Sequence, residues 1–363
     1  MGSDQYKMDG HKLLWHLERV QQWQEKRVIA PIYIEVSPLA YCNNRCIFCA
    51  IDFSMEKSLA LDASRFIPKL AQMGKAGVRS IMYAGEGEPL LHRELVPIIL
   101  ETKKAGIDVA LTTNGNLGSS DDWQAILPAL SWVRFSVDAG TDEVYSVVHG
   151  VSGEMFHRTI QNIRQAVQFK RDNELSVTIG AQFVVLEENV DDLAEAVALF
   201  SEIGVDYLAI KPYSLHPQML ATKEVDYRNG LMDRVASILK TCTPSEKSPT
   251  RIIFRQDAME NYADGKMAFD HCLALPFWGY VDSRGDFYTC SVFLGDPRFK
   301  VGNVLEQEME AVLFGEKREN SIQFGEKRLA LTEECRLNCR MARINEFLTM
   351  IDQKPEGGVF FID

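Results

Sequence analysis

No apolar run in the 363-residue chain approaches the roughly 18 to 20 residues that span a bilayer, and its beginning lacks the short apolar core of a secretory signal. A membrane protein and a secreted protein are therefore disfavoured, and a cytoplasmic protein is expected. Basic charge is also scarce: 39 Lys and Arg against 51 Asp and Glu leave a formal charge of -12. A nucleic-acid partner requires a basic footprint for its phosphates. A small-molecule or peptide substrate is the better expectation.

What remains is an ordinary globular composition, 46% hydrophobic and 25% charged, in a chain long enough for one large domain and a smaller one. It contains eight cysteines. In a reducing compartment these point to metal ligation or catalysis rather than to disulfides. Two groups stand out, Cys42, Cys46 and Cys49, then Cys272, Cys290, Cys335 and Cys339, with Cys242 apart from both.

Short β-branched runs alternate with amphipathic stretches of helical length through the first two thirds of the chain. Strands are expected at 31–37, 80–86, 108–114, 132–138, 177–185 and 207–213, with one more, RIIFR, at 251–255. Glycines close several of the intervening helices. Six repeated βα units predict a parallel sheet, wound open or curled into a barrel. The stretch HKLLWHLERVQQWQEK predicts a helix whose Leu13, Leu14, Leu17, Val20 and Trp23 stripe packs on the barrel.

The first cysteine group, YCNNRCIFC, has the spacing C-x3-C-x2-C and follows the first strand directly. A structural zinc site needs a fourth ligand, and the next histidine, His92, lies one βα unit away. Three thiolates without a fourth leave one iron of an iron-sulfur cluster open.

This motif resembles that of the radical SAM superfamily, whose C-x3-C-x-aromatic-C loop carries an aromatic residue where Phe48 stands. The resemblance implies a partial (β/α)6 barrel and a [4Fe-4S] cluster on Cys42, Cys46 and Cys49. S-adenosylmethionine would complete that cluster, and its cleavage would yield a 5'-deoxyadenosyl radical. GEGEP at 85–89 is similar to the family's Gly-Gly-Glu-Pro motif, with Glu86 in place of a glycine. By that likeness Gly87 lets the backbone approach the cofactor and Glu88 accepts from its amino group. TTNG and SVD end the third and fourth expected strands, implying further contacts from Asn114, Ser136 and Asp138; Gln182, near the end of the fifth, is added as a cofactor contact.

The second group resembles the SPASM extension of that superfamily, or its shorter twitch form: C-x12-G-x4-C spans Cys272 to Cys290, and CRLNC supplies Cys335 and Cys339. Four thiolates imply one closed auxiliary [4Fe-4S] cluster. The resulting organisation is an N-terminal helical extension (1–30), the barrel (31–255), a twitch-like auxiliary domain (256–345) and a tail (346–363). The resemblance implies oxidation of a carbohydrate- or aminocyclitol-like substrate, with the auxiliary cluster as electron acceptor and a flavodoxin or ferredoxin as donor. Arg255, Lys211 and Tyr213 are the candidate catalytic groups. Two alternatives stay open: an epimerase with Cys242 as hydrogen donor, and a peptide-modifying maturase.

Overall fold

The computed structural model describes residues 11–56, 58–220, 225–242, 248–265, 267 and 269–353. Part of the expected C-terminal tail and of the polar loop after Cys242 lies outside the described residues.

The strands are β1 (Tyr33–Val36), β2 (Ser80–Tyr83), β3 (Asp108–Thr113), β4 (Leu130–Ser136), β5 (Thr178–Val185), β6 (Tyr207–Pro212), β7 (Arg251–Phe254), β8 (Trp278–Val281), β9 (Asp286–Tyr288) and β10 (Lys300–Asn303). They form one ten-stranded sheet in the order β10-β9-β8-β1-β2-β3-β4-β5-β6-β7. The first seven run parallel in sequence order, as a chain of βα units with right-handed crossovers demands. The fold is the mixed α/β, partial TIM-like barrel that the resemblance implied, followed by a C-terminal segment. β8 pairs parallel to β1, so the C-terminal segment continues the barrel sheet instead of forming a separate layer.

Alternation along the strands separates an outer face from a lumen. In β6, Leu208, Ile210 and Pro212 are buried against the helices, while Tyr207, Ala209 and Lys211 face the other way. Parallel register carries that inner row across the sheet: Arg134 lies opposite Gly180, Gly180 opposite Tyr207, and Ser136 opposite Gln182. Met82, Ala84 and Ala110 form a small apolar cluster with Tyr33 and Trp132, which makes a floor under the lumen. A Cβ on Gly180 would lie 2.1 Å from the Tyr207 ring, so only glycine lets that ring cross β5.

The N-terminal helix departs from its expectation. Leu13, Val20 and Trp23 are buried, but Leu14 and Leu17 are 52% and 60% exposed. The chain runs as a 3-10 helix over His11–His16 before the α-helix Leu17–Gln24 begins. Three residues per turn take the stripe out of the phase an α-helix would give it. Its buried side packs on Leu273, Phe277 and Leu348, so the helix closes over the C-terminal segment.

Candidate functional site at the C-terminal edge of the sheet

The first thiols sit on the loop after β1, which is pinned by backbone bonds from Arg45 and Ile47 to the carbonyls of His149 and Val148. Gly150, at φ +61°, gives the loop room: a Cβ there would stand 2.4 Å from the Arg45 carbonyl. Cys46 Sγ lies 3.1 Å from His149 Nδ1, and His149 Nε2 lies 2.7 Å from the Val137 carbonyl. A carbonyl only accepts, so Nε2 carries the proton and Nδ1 turns its lone pair to the thiol. Burial pushes His149 down to about 4. Phe48 packs edge-on to the same imidazole at 5.7 Å.

Asn43, Asn44 and Asn116, which the sequence reading passed over, complete the loop together with Asn114, expected as a cofactor contact. Asn114 Nδ2 donates to Asn43 Oδ1 at 2.7 Å and reaches toward Cys42 Sγ at 3.9 Å. Asn116 Nδ2 donates to Asn44 Oδ1 at 2.7 Å, and the Tyr145 hydroxyl holds Asn116 from behind. The doublet Asn43-Asn44 facing Asn114 and Asn116 was the available signal, but only the fold shows that the two pairs meet.

Glu88 is buried, and its carboxylate accepts from the Thr113 hydroxyl at 2.6 Å, the Asn114 amide at 2.7 Å and the Leu90 amide at 3.0 Å. A carboxylate has about four acceptor positions, so one remains for an outside cation. Gly87 also makes a contact that the sequence did not indicate. A Cβ there would lie 2.2 Å from the Tyr41 carbonyl, so the glycine admits the backbone of the cysteine loop. Glu86, the departure from the family motif, turns toward the C-terminal segment: Oε2 accepts from the Ser283 amide at 3.0 Å. Burial first, then the Glu86 carboxylate, pushes its neighbour Asp282 up to about 7.

Ser136 ends β4 on the lumen side, level with Gln182. Asp138, expected to touch the cofactor, is completely buried with φ +57°. Its Oδ1 accepts from the Val184 amide at 2.6 Å, and its Oδ2 stands 3.6 Å from His149 Nε2. It faces the support of the cysteine loop, and burial raises it to about 7.

Cys272, Cys290, Cys335 and Cys339 share one apolar cluster with Trp278, Tyr280 and Phe299. Burial raises the Cys290 thiol, and the proximity of Cys339, Cys272 and Cys335 raises it further. Cys46 likewise senses Cys42 and Cys49. Iron reverses this, because ligation requires the thiolate. Among the described residues no three His, Cys, Asp or Glu side chains converge as ligands of one metal ion. A four-iron cube takes its thiolates at separate corners and does not require that convergence. Three mutually close thiols beside a carboxylate with a spare acceptor position, and four enclosed thiols elsewhere, fit one open and one closed cluster.

The end of β6 approaches both sets. Tyr213 lies within electrostatic reach of Cys49, and its carbonyl accepts from Asn338, which stands between Cys335 and Cys339. Its hydroxyl, expected to be catalytic, instead donates to Met219 Sδ at 2.6 Å, and burial holds it up at about 12. Tyr213 is thus part of the wall. Lys211 and Arg255 face each other across β6 and β7, since the Arg255 amide donates to the Ile210 carbonyl at 2.9 Å. Burial, then Arg134, and beyond it Arg255 and Arg336, push Lys211 down to about 7 against the opposing pull of Asp138. Covering unpaired cations costs several kcal/mol each, at order of magnitude. Cys242 caps the helix Met232–Thr241, nine residues before β7 begins, at the opposite edge of the sheet from the thiol sets.

Residues 36–200 match the model of the Radical SAM superfamily, and residues 272–340 match that of the SPASM iron-sulfur cluster-binding domain. A probable GTP 3',8-cyclase of Sulfurisphaera tokodaii is 31% identical over 55% of this chain and 60% of its own length. One from Metallosphaera sedula is 29% identical over 56% and 62%. The chain thus spans about 60% of these curated relatives. Among solved structures, Streptococcus suis SuiB bound to the precursor peptide SuiA superposes with a TM-score of 0.66 at 16% identity, covering 95% of this chain and 78% of that one. The protein anSMEcpe with bound AdoMet gives 0.61 at 15%, covering 84% and 88%. At such identities the likeness is one of fold.

Proposed function

Because this chain carries a radical SAM domain followed by a SPASM domain, and so the sites for S-adenosylmethionine and two iron-sulfur clusters, we propose that it dehydrogenates a C-H/C-OH position of a polar small molecule held between them. The observation that carries this reading is the C-terminal end of β6, which borders the open three-thiol set through Tyr213 and the closed four-thiol set through Asn338. When bound, the cofactor and the first cluster supply a carbon-centred radical that takes a hydrogen atom, and the second cluster supplies a one-electron acceptor.

Cys42, Cys46 and Cys49 hold the first cluster, and Glu88 takes the amino group of the cofactor with its remaining acceptor position. Asn114 and Asn116 keep the loop in place, while Ser136 and Gln182 offer polar atoms on the lumen side. The neutral fraction of Lys211, which burial pushes down to about 7, takes the proton that a substrate hydroxyl gives up, and the Lys211 and Arg255 charges stabilise the resulting anion. The floor of Tyr33, Met82 and Trp132 excludes water from below. An external flavodoxin- or ferredoxin-type donor would supply the first electron.

Epimerisation through Cys242 is the weaker reading, because that thiol lies at the far edge of the sheet. Cyclisation, the activity in the names of the curated relatives, would leave the substrate's mass unchanged when the ring closes by addition to a double bond, as would epimerisation. Incubation of the holoprotein with candidate polyols, S-adenosylmethionine and reductant separates these outcomes by mass. Loss of two hydrogens is expected, and an isobaric product would refute the reading.

A further inference from the structure

Four cations converge on the space between the two thiol sets. Arg134 comes from the inner row of β4, Lys211 from β6, Arg255 from the end of β7, and Arg336 from between Cys335 and Cys339. Lys211 is within electrostatic reach of the other three, and Arg255 of Arg134. Glu35 pairs with Arg340, and Asp257, within reach of Arg255, pairs with Arg343, so the buried Asp138, within reach of Lys211 and Arg134, is left to offset four cations. The Nε atoms of Arg134 and Arg336 are buried without a hydrogen-bond partner. Arg134 donates a 3.4 Å bond to the Thr112 hydroxyl, lies over the Trp132 ring at 5.5 Å and is within electrostatic reach of Asp138.

Like charges gathered out of water repel each other and remain undersolvated until an anion joins them. The clusters account for part of this charge, since Arg336 adjoins a ligand of the second set. They do not account for Arg134, which lies one inner-row position below Ser136, away from the strand end that faces the first set. Planar guanidinium groups present paired donors that match the oxygens of phosphate and carboxylate.

We propose that the substrate carries a fixed anionic group, a phosphate or a carboxylate, which Arg134, Lys211, Arg255 and Arg336 receive above the aromatic floor of the lumen. This deepens the reading of that space as the substrate site and depends on it.

The test uses the holoprotein with both clusters and saturating S-adenosylmethionine, titrated calorimetrically with inorganic phosphate and, separately, with acetate. One saturable site is expected, weakened at least tenfold by Arg134→Gln and by Arg255→Gln, and partly restored by Arg134→Lys. Arg234→Gln, in an exterior ion pair with Glu187 and Asp191, should leave it unmoved. Tighter phosphate binding identifies a phosphorylated substrate, and tighter acetate binding identifies a carboxylate. The absence of a saturable site, or a site that disappears once S-adenosylmethionine saturates, overturns the proposal and gives these cations to the cofactor or the clusters. Iron content and cofactor binding report whether each variant folds. The assay involves no turnover, so its failure leaves dehydrogenation standing, and a product with an unchanged mass leaves the anion site standing.

Discussion

Gly87 and Asp282 show how single residues join the two halves of the site. At Gly87 the missing side chain lets the second strand's loop lie against the cysteine loop, with the Glu88 amide donating to the Tyr41 carbonyl at 2.8 Å. Gly87→Ala places a methyl group inside that contact. The expected result is selective loss of the first cluster, read as about four irons per chain in place of about eight. Asp282 lies beside the buried Glu86, and its carboxyl is held at about 7 against an ordinary 3.8. Between those values the folded protein keeps a proton that the unfolded chain has released, so stability falls as pH rises through that window. In Asp282→Asn the side-chain carbonyl still accepts from the Arg284 and Asp286 amides. Thermal unfolding should show this variant equal to the parent near pH 4 and more stable above pH 7. A constant difference at all pH values would contradict the assignment.

At the level of elements, the thiols, strands and strand-end motifs were legible in the sequence because each is a local pattern. Short β-branched runs placed the first seven parallel strands within a few residues, though not β8, which is also parallel, and the spacing C-x3-C-x2-C marked the loop after the first of them. What could not be read depends on contacts between distant segments. His149 meets Cys46 across 103 positions and Asn116 meets Asn44 across 72, and no spacing rule joins them. Tyr213 was legible as a strand-end hydroxyl, but its bond to Met219 was not. The N-terminal helix was misjudged in a similar way, because a 3-10 turn shifted half of its apolar stripe to solvent. The half that packs is the joint to the C-terminal segment, with Trp23 and Phe277 ring centroids 5.9 Å apart. Trp23→Ala should therefore cost about 3 kcal/mol in chemical denaturation, the lower end for emptying a buried aromatic position. No loss of stability would mean that the helix does not hold that joint.

For the whole molecule, the pairing of β8 with β1 is decisive. It makes one sheet of the barrel and the C-terminal segment, and fixes the four-thiol set relative to the three-thiol set. On the proposed reading, a substrate held near the end of β6 would have radical chemistry from the first set and an electron acceptor at the second. The most direct test is anaerobic turnover, with mass analysis, of the parent protein and of Cys335→Ala, in which the second set is reduced to three thiols. The parent should give a product two hydrogens lighter than the substrate. The variant should still cleave S-adenosylmethionine but give no oxidised product. A variant that oxidises the substrate at the parent's rate would contradict the role given to the second cluster.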